Sequence, residues 1–102
     1  MAVSGIGTPT AGAIENVFMA EVTIYSTCWC GDCRRAKQFL RERGVQFREV
    51  NIDCNAEAEA LVLRVNEGLR KVPTIEVDGR FFACSPFDPY QLSEELKIPL
   101  NP

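Results

Sequence analysis

EVTIYSTCWCGDCRRAKQFLRER, residues 21–43, decides the fold and carries the chemistry. Its opening residues set Val22 and Ile24 against an outward Thr23 and Tyr25, the two-residue period of a strand. From about Cys30 to Arg43, Ala36, Phe39 and Leu40 recur at helical spacing, and Gly44 is the residue expected just past a helix end. Between strand and helix stands Cys30-Gly31-Asp32-Cys33. Two cysteines separated by two residues can close a tight disulfide. At a first helical turn the leading sulfur also meets unpaired backbone N–H groups and the positive end of the helix dipole. Both favour thiolate over thiol, and the thiolate is the nucleophile. The stretch reads as a thiol–disulfide exchange motif.

Downstream, Val45–Asp53 alternates imperfectly through Val45, Phe47, Val50 and Ile52, which predicts a second strand. Asn55 is the expected N-cap of a helix running to about Asn66, with Ala58, Leu61, Val62 and Val65 as its apolar stripe and Gly68 as its stop. Pro73–Val77 and Arg80–Ala83 flank Asp78-Gly79, a hairpin signal. Asp88 and Pro89 suit the N-cap and first position of a last helix, Gln91 stands at the capping-box position, and Leu92 and Leu96 face inward. The order is β-α-β-α-β-β-α. The first two strands must be parallel because a helix crosses between them. The predicted class is α/β: a four-stranded mixed sheet flanked by three helices, with Cys30 at the carboxyl end of the first strand.

Upstream, residues 1–16 are rich in Gly, Ala, Thr, Ser and Pro with no sustained period. Residues 1–18 are expected to form a flexible tail on a domain spanning 19–102, and Met19 is a possible alternative start. At 102 residues the chain suffices for one domain and one modest core. A net charge of −3 argues against nucleic acid as a partner. No apolar run nears the roughly 18 residues of a membrane span, and the absence of histidine excludes His-based catalysis and His-ligated metal. Met1 to Phe18 lacks the basic and apolar regions of a secretory signal, so a reducing cytoplasm is expected, where a bunched, odd-numbered set of five cysteines speaks for catalysis rather than a disulfide scaffold.

Thr23-Ile-Tyr-Ser-Thr-Cys-Trp-Cys-Gly-Asp-Cys33, then Arg70-Lys-Val-Pro-Thr74, then Val77-Asp-Gly79, resembles the glutaredoxin branch of the thioredoxin superfamily over roughly residues 21–97. The resemblance implies a thioredoxin-like fold and an oxidoreductase that reduces disulfides or mixed disulfides, with Cys30 attacking and Cys33 resolving. It further implies a cis Pro73 facing the cysteine pair, and a Val72 backbone that pairs with the bound thiol. No bound cofactor is implied. A small thiol, mycothiol or glutathione, would be the cosubstrate, and thioredoxin reductase the other source of electrons. The partners would be disulfide-containing proteins or low-molecular-weight mixed disulfides, met by a monomer. Three departures from the glutaredoxin pattern stand out. Gly-Asp lies between the cysteines in place of Pro-Tyr, no Lys precedes the motif, and Ala83-Cys84-Ser85-Pro86 replaces a Gly-Gly turn whose amides hold glutathione. Pro86 has no N–H to donate. The Trp-Cys-Gly-x-Cys run, Arg70 ahead of Val-Pro-Thr, and the Ser85-Pro86 pair resemble mycoredoxin-type proteins, which use mycothiol.

Other residues carry two readings each. Trp29 is expected on the substrate-facing surface, against plain packing of an aromatic at a strand end. Arg70 and Lys71 can hold a cosubstrate carboxylate, or simply form a solvated basic loop. Cys28 brings three sulfurs within six positions. Thiolates ligate iron–sulfur clusters and metals, so an iron–sulfur or metal carrier is the alternative function; the plainer reading is a small half-buried residue. Cys84 is expected near the active site as a secondary redox thiol, and Cys54 as a packing residue. Arg34, Arg35, Lys37, Arg41 and Arg43 give the first helix a basic surface, and Arg34 and Arg35 are expected to offset Asp32.

Overall fold

The computed structural model describes residues 21–98 and 100. The tail expected over residues 1–18, with Met19, lies outside the described residues. Four strands, β1 (Val22–Ser26), β2 (Arg48–Asn51), β3 (Thr74–Val77) and β4 (Arg80–Ala83), form one sheet in the order β2-β1-β3-β4. β1 runs parallel to β2, from Thr23 opposite Arg48 to Ser26 opposite Asn51, and antiparallel to β3, which forms the hairpin with β4. Three helices, α1 (Gly31–Glu42), α2 (Ala56–Val65) and α3 (Pro89–Leu96), complete the α/β fold.

Both faces of the sheet are covered, which separates the interior into two cores. On one face Val22, Ile24, Ile75 and Val77 pack with Ala36, Phe39 and Leu40 of α1 and Leu92 and Leu96 of α3. On the other, Tyr25 and Ile52 pack with Ala58 and Val62 of α2, and with Cys30, Cys33 and Val72. Tyr25 is therefore buried rather than outward, since helix α2 dries the face that alternation alone assigns to solvent. Full burial of Ile24, Leu40, Ile75 and Leu92 contributes about 1.5–3 kcal/mol each.

Local chemistry sets the element ends. Gly44, at φ +73°, follows α1; its N–H donates to Arg41 O and that of Val45 to Leu40 O, the paired bonds of a Schellman ending. The second strand is shorter than the alternation predicts. Val45 is drawn back onto α1 by this ending, so β2 starts at Arg48, and past Asn51 a single 3₁₀ turn, Ile52–Cys54, takes over. Asn51 Oδ1 accepts from Asp53 N at 2.8 Å and so turns the chain out of the sheet. Asn55 caps α2 through Ala58 N at 3.0 Å. Asp78 (φ +51°) and Gly79 (φ +87°) make the hairpin turn with two positive φ angles. Asp88 caps α3 through Tyr90 N and Gln91 N. Gln91 does not close the expected capping box: its amide donates to Ala83 O at 3.1 Å, tying α3 to β4, while Asp88 N donates to Cys84 Sγ at 3.4 Å.

The end of α2 is where the sequence and the backbone disagree. The helix stops at Val65, and the first left-handed residue is Glu67 (φ +58°), one position before Gly68 (φ +86°). A side chain in that conformation costs about 1–2 kcal/mol, part of which glycine returns through its freer unfolded chain. Glu67→Gly should therefore raise stability by about 0.5–1 kcal/mol, read as a higher urea midpoint at unchanged slope; a lower midpoint would contradict the assignment.

Candidate active site

Cys30 lies four residues past β1 and caps α1. Its backbone is extended (φ −88°, ψ 116°), and its sulfur accepts the N–H of Cys33 at 3.1 Å. A thiol occupies the place usually taken by a Ser, Thr, Asp or Asn oxygen. The first-turn N–H of α1 is thereby directed at the sulfur. Across from it, Cys30 Sγ donates to the carbonyl of Val72 at 3.6 Å. The Val72–Pro73 peptide is cis, as expected. Val72 and Pro73 are buried, and Pro73 O accepts from Cys84 N at 2.9 Å, which joins the loop to the end of β4.

The two cysteines differ in environment. Cys30 retains a small exposed edge (7%), whereas Cys33 has none. Burial, followed by the hydrogen bond with Cys30, pushes the Cys33 thiol up to about 12, while a backbone hydrogen bond at Thr27 and the Lys37 charge work in the opposite direction. Lys37 lies one helical turn beyond Cys33 and donates to Glu49 Oε2 at 2.6 Å, where Ser26 Oγ also donates at 2.9 Å. The Lys37 ammonium holds the Glu49 carboxyl below its usual range.

Trp29, beside Cys30, is 63% exposed, with its indole N–H donating to Asp53 Oδ2 at 3.1 Å. Arg70 is not a free cation. Its Nε donates to Glu59 Oε2 at 2.7 Å and its Nη2 to Asp53 Oδ1. Ser85 is exposed and is followed by a second cis peptide, Ser85–Pro86. Cys28 is exposed rather than half-buried. Cys84 is fully buried, its sulfur donating to Asp88 O and accepting Asp88 N, so it is no surface thiol, and burial pushes it up. Cys54 is exposed, contrary to the packing role expected: Ile52 takes the inward position and the one-turn helix points Cys54 away from the core. The basic surface expected of α1 is divided. Arg34 and Arg35 are exposed and Arg35 alone pairs with Asp32, while Lys37 is taken by Glu49, Arg41 stacks on Phe47 and Arg43 on Phe39. Asp53 and Glu59 escaped the sequence reading. The signal for them is topological: parallel neighbours end at the same edge, so whatever follows β2 lies beside whatever follows β1. Among the described residues no three His, Cys, Asp or Glu side chains group to hold a metal ion, and no helix is long and apolar enough to cross a membrane.

Comparison with known proteins agrees with this arrangement. The glutaredoxin family model matches residues 22–82. The chain is 44% identical over 61 residues to the glutaredoxin candidate Rv3198A of Mycobacterium tuberculosis, covering 59% of this chain and 73% of that one. It is 37% identical over 68 residues to mycoredoxin 1 of Corynebacterium glutamicum, covering 67% and 84%. Among solved structures, the glutaredoxin-like NrdH-redoxin of Escherichia coli superposes with a TM-score of 0.53 at 30% identity, covering 62% of this chain and 80% of that one.

Three buried acids, Cys33, Cys84 and Tyr25, are all shifted up, with burial as the largest cause in each. Such a fold holds its protons more tightly than the unfolded chain, so the stability they lend is complete below about pH 8.5, where unfolded thiols remain protonated, and is lost as pH rises toward the folded values. The urea midpoint of the reduced protein should fall steadily between about pH 8.5 and 11. A flat midpoint over that span would contradict the burial of these groups.

Proposed function

The chain belongs to the glutaredoxin family, whose chemistry is thiol–disulfide exchange, and we propose that it works by the dithiol route, with Cys30 as nucleophile and Cys33 as resolving thiol. The observation that supports this most is the asymmetry of the pair: Cys30 keeps an exposed edge and accepts the Cys33 N–H, while Cys33 is sealed and protonated. The Cys30 thiolate attacks a disulfide R–S–S–R′. The S–S bond breaks, a Cys30–S–S–R bond forms, and R′–S⁻ leaves and takes up a proton. Cys33 then loses its proton and attacks the Cys30 sulfur, releasing R–S⁻ and closing the Cys30–Cys33 disulfide. The order is built in, because the mixed disulfide removes the Cys30 thiolate and with it two of the influences that hold Cys33 protonated. What remains at Cys33 is burial, opposed by Thr27 and Lys37. Two electrons from an external thiol or a reductase reset the pair.

Trp29, Val72, Pro73 and Ser85 surround the substrate sulfur in this reading, with the Val72 backbone pairing with it as an added strand. Arg70 stands behind Trp29 through Asp53. The substrates are disulfide-containing proteins or small mixed disulfides in the cytoplasm, met by a monomer. Similarity to mycoredoxin 1, together with the Ser85-Pro86 turn, favours mycothiol over glutathione as cosubstrate. No observation favours the iron–sulfur carrier.

Oxidised protein offered glutathione with its reductase, mycothiol with its reductase, or thioredoxin reductase alone should consume NADPH fastest with mycothiol. Cys30→Ser should abolish turnover in every system, while Cys33→Ser should keep activity on small mixed disulfides. Turnover surviving in Cys30→Ser would overturn the nucleophile.

A further inference from the structure

Asp53 spends both carboxylate oxygens on residues that flank the nucleophile. Oδ2 accepts from Trp29, the residue before Cys30, and Oδ1 accepts from Arg70, two residues before the Val72 carbonyl that meets Cys30 Sγ. Glu59 takes the Nε of the same guanidinium at 2.7 Å. Arg70 can grip an incoming carboxylate in two-point fashion only from an edge with two free donors, and its Nε and Nη2 are already divided between two protein carboxylates. The side-on edge is thus taken, and a carboxylate on a small thiol is left the Nη1 end of the guanidinium, beside the two carboxylates already paired with it. Within the network two carboxylates face one guanidinium, and the side chains are about a third exposed (Arg70 33%, Asp53 36%, Glu59 40%), so the charge is reachable from solvent. Exposed pairs of this kind contribute little to stability, but at short range they act strongly on a charged group approaching the same surface. Among the nearby cations Arg35 is held by Asp32 and Lys37 by Glu49, and exposed Arg34 and Lys71 supply the opposing charge that Asp53 and Glu59 must outweigh.

Resting on Cys30 as the exchange nucleophile, we infer that Asp53 is a specificity-determining residue, whose bridge between Trp29 and Arg70 turns the site against carboxylate-bearing small thiols such as glutathione and toward neutral or cationic disulfides. The bridge also orients the indole that forms one wall beside the sulfur. Replacing Asp53 by Asn frees a donor of Arg70 for substrate, while the amide oxygen can still accept from Trp29.

The test compares the wild type with Asp53→Asn and Glu59→Gln. Reduced protein is mixed at neutral pH with glutathione disulfide, bis(2-hydroxyethyl) disulfide or cystamine, which are anionic, neutral and cationic. The rate of Cys30 oxidation is read by acid quench and peptide mass. In Asp53→Asn the anionic-to-cationic rate ratio should rise about fivefold or more, with a smaller rise in Glu59→Gln. In the wild type the same ratio should rise as salt goes from about 0.05 to 1 M. A merely structural role would slow all three disulfides together and leave the ratio alone. A ratio within about twofold of wild type in Asp53→Asn overturns the inference, whatever the salt dependence of the wild type. Alkylation of Cys30 by anionic iodoacetate against neutral iodoacetamide gives the same ratio without any disulfide chemistry. If no disulfide oxidises Cys30, the exchange reading fails, and the alkylation ratio still decides for or against Asp53.

Discussion

The hydrogen bond from Cys33 N–H to Cys30 Sγ joins the fold to its chemistry. It exists because α1 begins one residue after Cys30, which leaves the first-turn amides without helical partners. The sulfur thus caps α1 and is, in the proposed route, the attacking atom as well. The rest of the molecule fixes that junction from both sides. β1 is held between β2 and β3, α1 is fastened by Ala36, Phe39 and Leu40, and the Val72–Pro73 loop closes over the sulfur from the far side of the sheet edge.

Two cores explain why the pair is asymmetric. Cys30 and Cys33 both belong to the cluster under α2, along with Tyr25, Ile52 and Val62, but the helical turn places Cys33 deeper. Burial pushes the Cys33 thiol up, and in the proposed dithiol route this separates attack from resolution in time. The outer surface is built differently. Trp29, Asp53, Arg70 and Glu59 are partly or largely exposed and linked by charge and hydrogen bonds, so they govern what approaches rather than what holds together.

Much of this was legible in the residues. Cys30-Gly31-Asp32-Cys33 between a strand and a basic helix, Asn55 and Asp88 as caps, Asp78-Gly79 as the hairpin turn, and Leu92 with Leu96 all stand where local chemistry puts them. What escaped is long-range. The burial of Tyr25 depends on α2 covering a face that period-2 alternation assigns to solvent. The early end of β2 depends on the Schellman ending of α1 and on an Asn51 side chain that turns the backbone. The ties of Arg70 to Asp53 and Glu59 link residues 17 and 11 positions apart, and no local pattern announces them. Cys54 is exposed and Cys84 buried, against expectation, for the same reason, since exposure at a strand end is decided by the neighbouring chain.

The most direct test is to trap the intermediate. Cys33→Ser protein is reacted with one equivalent of a small disulfide, the adduct is digested without reductant, and the modified cysteine is identified by mass. The account predicts the mixed disulfide on Cys30, although Cys28 and Cys54 are the more exposed thiols. An adduct on Cys28 or Cys54 with Cys30 left free would contradict it.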